Sequence, residues 1–152
     1  MTISLQSVFA AVNLKELSKL TKIRLVQLME ANKLQPYDFI VAGDRRNYGD
    51  LMTPTALAEL ATYATGIGPS KRSIVPQGSD RALLTPTNLM ADAHRAGLLV
   101  HPYTFRDEPD FLAPDYRLDP IKEYLQFYML GVDGVFSDFS DTAVRARALL
   151  RP

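Results

Sequence analysis

Short apolar runs alternate along this chain with stretches in which apolar positions recur every three or four residues. Leu14, Leu17 and Leu20 stand at helical spacing among Lys and Glu, which predicts an amphipathic helix over 13–20 with one buried face. The run IRLVQLM at 23–29 predicts a strand buried on both faces. On a strand's period of two, Gln27 shares a face with Ile23, Leu25 and Met29, so it needs hydrogen-bond partners or open space there. Residues 32–52, broken by Pro36, Gly43, Asp44 and Gly49, read as a long irregular connection.

Three pairs then mark helix starts. Thr53 before Pro54, Thr85 before Pro86 and Asp119 before Pro120 each set a capping side chain ahead of a proline at the first helical position. They predict helices from 54 to 64, from 87 to 96 with Gly97 as the stop, and from 120 to a stop at Gly131. In the third, Ile121, Tyr124, Leu125 and Tyr128 supply the apolar stripe. Between these helices lie GIGPSK at 66–71, a short strand or tight backbone segment from which 73–77 extends away, and LLVHPY at 98–103, a buried strand. With no helix expected directly behind it, GIGPSK does not read as a phosphate-binding P-loop. Pro102 has no place in a central ladder, so regular pairing is expected to end near His101. A last strand follows at 132–136, with Ser137 and Asp138 at its end. Ser140 or Asp141 would cap a final helix running to about residue 149.

Strand and helix alternate, with short turns into strands and longer loops out of them. That order predicts an α/β chain of right-handed βα units on a parallel sheet. Ligands of such sheets sit at the carboxyl ends of the strands, where this chain carries Lys71, His101, Tyr103, Thr104, Arg106 and Asp138. Its 152 residues make one domain, 1–152. They supply only part of the roughly 250 residues of an eight-fold barrel, so the sheet is either small and open or half of a barrel.

Composition narrows the partners. Lys plus Arg and Asp plus Glu both number 17, so no global field argues for nucleic acid or an anionic membrane. Without cysteine there is no disulfide or thiolate site, and compartment stays open. No apolar run approaches the roughly 20 residues of a transmembrane helix, and no export signal is visible in 1–20.

The stretches QPYDFIVAG, ATYATGIGPSKRSIVP, LLVHPYTFRDE and GVDGVFSDFSDTAV, in this order and spacing, closely resemble the C-terminal half of the glycerophosphodiester phosphodiesterases. The likeness runs from about Asn13 to Arg147. It implies the second half of a TIM (β/α)8 barrel, incomplete in this chain. The implied family reaction hydrolyses a glycerophosphodiester to glycerol 3-phosphate and an alcohol with a divalent metal, calcium or magnesium. The family's His-Arg-Gly and Pro-Glu-Asn-Thr motifs and its second histidine do not occur here. A metal-binding glutamate that follows a Gln-Ser-Phe strand aligns with Ala10, with Phe9 on the phenylalanine and Gln6 and Ser7 one residue out of register.

The residues themselves leave the chemistry divided. Acid/base cleavage of a phosphodiester needs one group to take a proton and another to give one. His94 and His101 are the two histidines of the chain. His94 reads as a partly exposed helical residue, and His101 as pocket lining or core packing. Asp138 either faces a metal or hydrogen-bonds the start of the last helix. Asp107, Glu108 and Asp110 form an acidic loop, read as solvated surface. Tyr103 and Phe105, on one strand face with His101, are either the wall against which a glycerol or alcohol moiety packs or ordinary core. Lys71 and Arg106 are either phosphate contacts or surface charges. The expected chain therefore carries substrate-binding Lys71, His101, Tyr103, Phe105 and Arg106, has no catalytic pair or metal cage of its own, and is inactive alone. The alternative is a non-catalytic half-barrel that binds a ligand, self-associates or pairs with an N-terminal half through its unpaired edges.

Overall fold

The computed structural model describes the backbone of residues 4–7 and all of residues 10–150; Phe9 lies outside the described residues. Four parallel strands in the order β1 (Ser4–Ser7), β2 (Arg24–Met29), β3 (Gly66–Pro69) and β4 (Leu99–Val100) make one sheet. Every register pair in it is parallel. The expected α/β class with parallel βα units therefore holds, and β1 adds a strand that periodicity did not flag.

Helix α1 (Ala11–Leu20) connects β1 to β2 and buries Leu14. The connection expected to be irregular instead holds two short helices, α2 (Tyr37–Ala42) and α3 (Tyr48–Leu51). Their stops and caps are local. Gly43 closes α2 at φ 70°, and Asn47 and Asp50 exchange side-chain bonds with each other's backbone N–H around the first turn of α3. Neither is long enough to show a period. Helix α4 (Pro54–Leu60) starts as expected, with the Thr53 hydroxyl accepting from Ala56 N, and is shorter than its pattern.

A helix does stand directly behind β3: α5 (Lys71–Ile74), one turn capped by Ser70, which accepts from Arg72 N. Ser73 and Ile74 are thus helical and buried rather than extended. The next helix, α6 (Leu89–Arg95), begins two residues later than Thr87. The Thr87 hydroxyl instead donates to Ser73 O at 2.8 Å, tying the loop to α5. Gly97, at φ 81°, is the expected left-handed stop.

On the β3 side the ladder does not end at His101. His101 N donates to Ile67 O at 2.9 Å and Tyr103 N to Pro69 O at 3.0 Å. Pro102 points its missing donor the other way, toward 132–136, so only that side loses a rung. There Val100 N donates to the Asp133 carboxylate at 2.8 Å, and Phe136 N donates to Pro102 O at 2.9 Å. Segment 132–136 is accordingly tethered to the β4 exit, but it is not the regular strand expected.

Two 3-10 turns, Pro109–Phe111 and Pro114–Tyr116, lead into α7 (Pro120–Met129). Asp119 accepts from Ile121 N, and Gly131 at φ 91° follows the end. The buried side of α7 is Glu123, Tyr124 and Phe127, rotated by one position from the expected stripe. Helix α8 (Ser140–Ala148) has Phe139 at its cap position and takes no cap bond from Ser140 or Asp141. The Ser137 hydroxyl accepts from Phe139 N at 2.9 Å.

The main core joins Leu25, Met29, Ile67 and Val100 of the sheet to helix residues such as Leu14, Leu57, Leu60, Tyr124 and Phe127. Gln27 is fully buried, and its amide nitrogen donates to Leu28 O at 2.9 Å. No helix among the described residues is long and apolar enough to cross a membrane.

Candidate functional site

An open cavity of about 530 Å³ lies beyond the carboxyl ends of β3 and β4, lined by Lys71, Arg72, Gln77, Arg81, Thr104, Arg106, Asp110, Phe111 and Asp138. Parallel strands put it there. The chain leaves β3 at Ser70 straight into α5, which carries Lys71 and Arg72 to the floor. It leaves β4 through Thr104 and Arg106, and 132–136 through Asp138.

Lys71 is not a surface charge. Its side chain is 7% exposed and its ammonium donates to Glu123 Oε2 at 2.7 Å, with the Glu123 side chain 0% exposed. Burial pushes the Lys71 amine below its ordinary range and the Glu123 carboxyl above its own, and the contact between them opposes both. Arg72 shares the carboxylate, with its Nη2 3.6 Å from Glu123 Oε1, and also donates from Nη2 to Phe111 O at 3.3 Å. Lys71 Nζ stands 5.2 Å from the centre of the Phe105 ring.

Arg106 forms the opposite wall. It donates to both Glu108 oxygens, at 2.6 and 3.2 Å, and lies 3.5 Å from Asp138 and 4.2 Å over the Phe111 ring. Glu108 raises the guanidinium, and Arg106 in turn lowers the Glu108 carboxyl. The loop expected to be plain solvated surface thus holds a cavity residue in place. Asp107 within it accepts from the buried Thr142 hydroxyl at 2.6 Å. Asp138 faces Arg106 and gives no bond to the last helix.

The three strand-face residues do not stand together. Phe105 is fully buried in the core, stacked on Tyr124 with ring centres 5.0 Å apart and edge-on to Phe127 at 5.0 Å. The Tyr103 hydroxyl donates to Met29 O at 2.8 Å and lies 3.1 Å from Glu30 Oε1, reaching back across the sheet. Burial raises that phenol. His101 packs edge-on to Phe136 at 6.2 Å. Gly134 permits this, since a Cβ there would lie 3.1 Å from His101 Cδ2. Burial lowers the imidazole below its ordinary value. None of the three lines the cavity, so of the five expected substrate residues the structure brings Lys71 and Arg106 together there. His94 is partly exposed, with Nε2 2.9 Å from Asp133 Oδ2, and is not among the residues lining the cavity.

Residue-type patterns did not flag Arg72, Gln77, Arg81 or Glu123. Glu123 had a legible signal: it is a carboxylate one step from Tyr124 and four from Phe127, inside the inward arc of α7. Gln77 and Arg81 had none, because a loop carries no period. Among the described residues no three acidic or histidine side chains gather as a metal site, and of the two carboxylates lining the cavity Asp138 faces Arg106 at 3.5 Å. This donor set does not fit a calcium or magnesium ion, which takes at least six oxygens.

Residues 3–142 match the model of the Glycerophosphoryl diester phosphodiesterase family. The chain belongs to that family. It is 36% identical over 146 residues to glycerophosphodiester phosphodiesterase GDPD6 of Arabidopsis thaliana, covering 95% of this chain and 37% of that one. It is 31% identical over 132 residues to the glycerophosphodiester phosphodiesterase of Haemophilus influenzae, covering 80% of this chain and 34% of the relative. A crystal structure described as a putative glycerophosphoryl diester phosphodiesterase from Agrobacterium tumefaciens aligns with TM-score 0.49 at 21% identity, over 96% of this chain and 42% of that one. The chain therefore spans between about a third and two-fifths of the length of these proteins.

Proposed function

We propose that this chain is the C-terminal half-barrel of a glycerophosphodiester phosphodiesterase, supplying part of the substrate wall while the acid/base pair and metal ligands come from elsewhere in the intact barrel. The observation that carries this is the cavity beyond the strand ends, in which Lys71, Arg72, Arg81 and Arg106 converge. Such a wall suits a phosphodiester, whose oxygens accept charge-assisted bonds. Cleavage needs a proton taken and a proton given. In this chain one histidine is engaged with Asp133 and the other is packed on Phe136. His101, Tyr103 and Phe105 then act behind the wall: Phe105 sets the position of Lys71, and Tyr103 ties the β4 exit to the end of β2. The test is an assay of the purified chain with calcium or magnesium on glycerophosphocholine. No turnover is expected, and clear turnover overturns the division of labour.

A second reading, that the half-barrel associates through its edges, draws on a groove of about 460 Å³ beside 132–136, lined in part by Val132, Val135, Val144 and Leu150. Segment 132–136 ends the paired series there, and an unpaired edge recruits another strand. Light scattering that finds a monomer at high concentration refutes self-association.

A further inference from the structure

Four of the residues lining the cavity, Gln77, Arg81, Asp110 and Phe111, come from two loops rather than from α5 or the strand exits. The first loop is a hairpin, 76–84. Gln77 bridges antiparallel to Leu83, Gly78 N donates to Ala82 O at 2.9 Å, and Leu84 N donates to Pro76 O at 2.9 Å. Near its tip Arg81 sits at φ 66°, in the left-handed region that a residue with a Cβ rarely adopts and that persists only where surrounding contacts hold it. Those contacts come from the second loop, the pair of 3-10 turns at 109–116. Arg81 Nη2 donates to the Asp110 and Leu112 carbonyls, and Leu83 N donates to the Asp115 carboxylate at 3.0 Å. Leu112, Ala113 and Tyr116 form a small apolar cluster apart from the main core, and Leu83, at the border of the two, packs on it from the hairpin. Segments built this way, with their apolar contacts and bonds largely among themselves, open locally as contiguous units below the free energy of global unfolding.

We infer that hairpin 76–84 and turns 109–116 move as one wall of the cavity, clasped together by Arg81, against a fixed wall that carries Lys71, Arg106 and Asp138. Two contacts tie the movable wall to the fixed one across the cavity. Arg72 Nη2 donates to Phe111 O at 3.3 Å, and the Arg106 guanidinium lies 4.2 Å over the Phe111 ring. Both meet a residue that is 47% exposed, where water competes for them. Releasing them widens the cavity while the bonds inside the wall stay made and the sheet is untouched. The Tyr116 hydroxyl, donating to Gln126 Oε1 of α7 at 2.5 Å, remains as the pivot. The device sets the width of the cavity and does not depend on what the cavity binds.

The test is native-state hydrogen exchange on the whole chain, read at amides that are bonded within each loop: Gly78 and Leu84 in the hairpin, Leu112 and Tyr116 in the turns. In wild type the four should share one protection factor within about threefold, below that of the β2 and β3 amides. Arg81→Asn tolerates the left-handed backbone and removes the reach to both carbonyls. It should speed exchange at all four amides about tenfold or more and leave β2 and β3 unchanged. Arg81→Lys, whose ammonium can still donate to both carbonyls, should restore most of the protection. Asp115→Ala perturbs the clasp from the other loop and should speed Gly78 and Leu84 as well as Leu112 and Tyr116, which keeps the inference testable if Arg81→Asn does not fold. Three results would overturn it. Wild-type protections that differ by more than about tenfold between the loops mean that they open separately. An effect confined to the mutated loop means the same. Exchange that rises in β2 and β3 in step with the loops means that Arg81 supports the whole fold and that no separate wall exists.

Discussion

Removing one member of the Lys71–Glu123 pair should cost far more than removing both. The pair is the deepest charged contact among the described residues, 2.7 Å long with side chains 7% and 0% exposed. Lys71→Met leaves Glu123 buried beside Arg72 alone, 3.6 Å away. Glu123→Leu leaves two cations without their shared anion. A buried charge stripped of its partner costs roughly 3–5 kcal/mol, whereas replacing a whole buried pair by apolar groups of similar size is often neutral or stabilising. Arg72 offsets part of the first loss, so Lys71→Met should fall at the lower end and Glu123→Leu at the upper. The double variant should lie within about 1 kcal/mol of wild type. Urea unfolding followed by circular dichroism reads this directly. With a slope of about 2 kcal/mol per molar, a loss of about 3 kcal/mol moves the midpoint by roughly 1.5 M. Two results would refute the reasoning: a single variant within about 1 kcal/mol of wild type, or a double variant whose loss equals the sum of the singles. Either would mean that water reaches the pair and screens it.

Two further predictions separate core from cavity and fix the acid limb. Phe105→Ala should cost about 3–5 kcal/mol, the range for a buried phenylalanine, and lower the melting temperature by roughly 10 °C. Affinity for glycerol 3-phosphate per folded molecule should fall less than threefold; a stable variant with lost affinity would put Phe105 on the wall instead. His101 is held below its unfolded value of about 6.5 by burial. As pH falls below that value the unfolded chain takes up this proton before the folded one does, so stability is full above it and is lost as pH drops through the folded pKa. His101→Asn should therefore flatten the decline of stability as pH falls below about 6.5 relative to wild type. Parallel profiles would exclude His101 as its source.

The helices with strong local signals were legible because their information is contiguous. Asp119 with Pro120 and the stop at Gly131 bracket α7 within one or two residues, and Thr53 with Pro54 starts α4. The β2 run was legible for the same reason. Helices α2, α3 and α5 were not, since four to six residues give no period and their caps resemble turns. The apolar run 132–136 predicts a strand that does not form regularly, because Pro102 removes a donor on one side only, and a sequence does not say which neighbour a missing N–H would have met.

Local pattern by itself determined the alternation of β2, β3 and β4 with the longer helices α4, α6 and α7, the parallel sheet and the strand ends where a ligand would sit, because each depends on capping, stops and apolar runs within a few residues. It also placed Lys71 and Arg106 at those ends. Tertiary structure alone decided what those ends do. Lys71 became half of a buried pair because α7 rotates Glu123 inward, 52 positions away. Phe105 joined the core because Tyr124 and Phe127 meet it there, and Arg72 and Gln77 share a cavity only once the β3 and β4 exits are side by side. Burial and partnership are properties of distant residues brought together, and they decide whether a charge is a surface ornament, a counter-ion or a binding group.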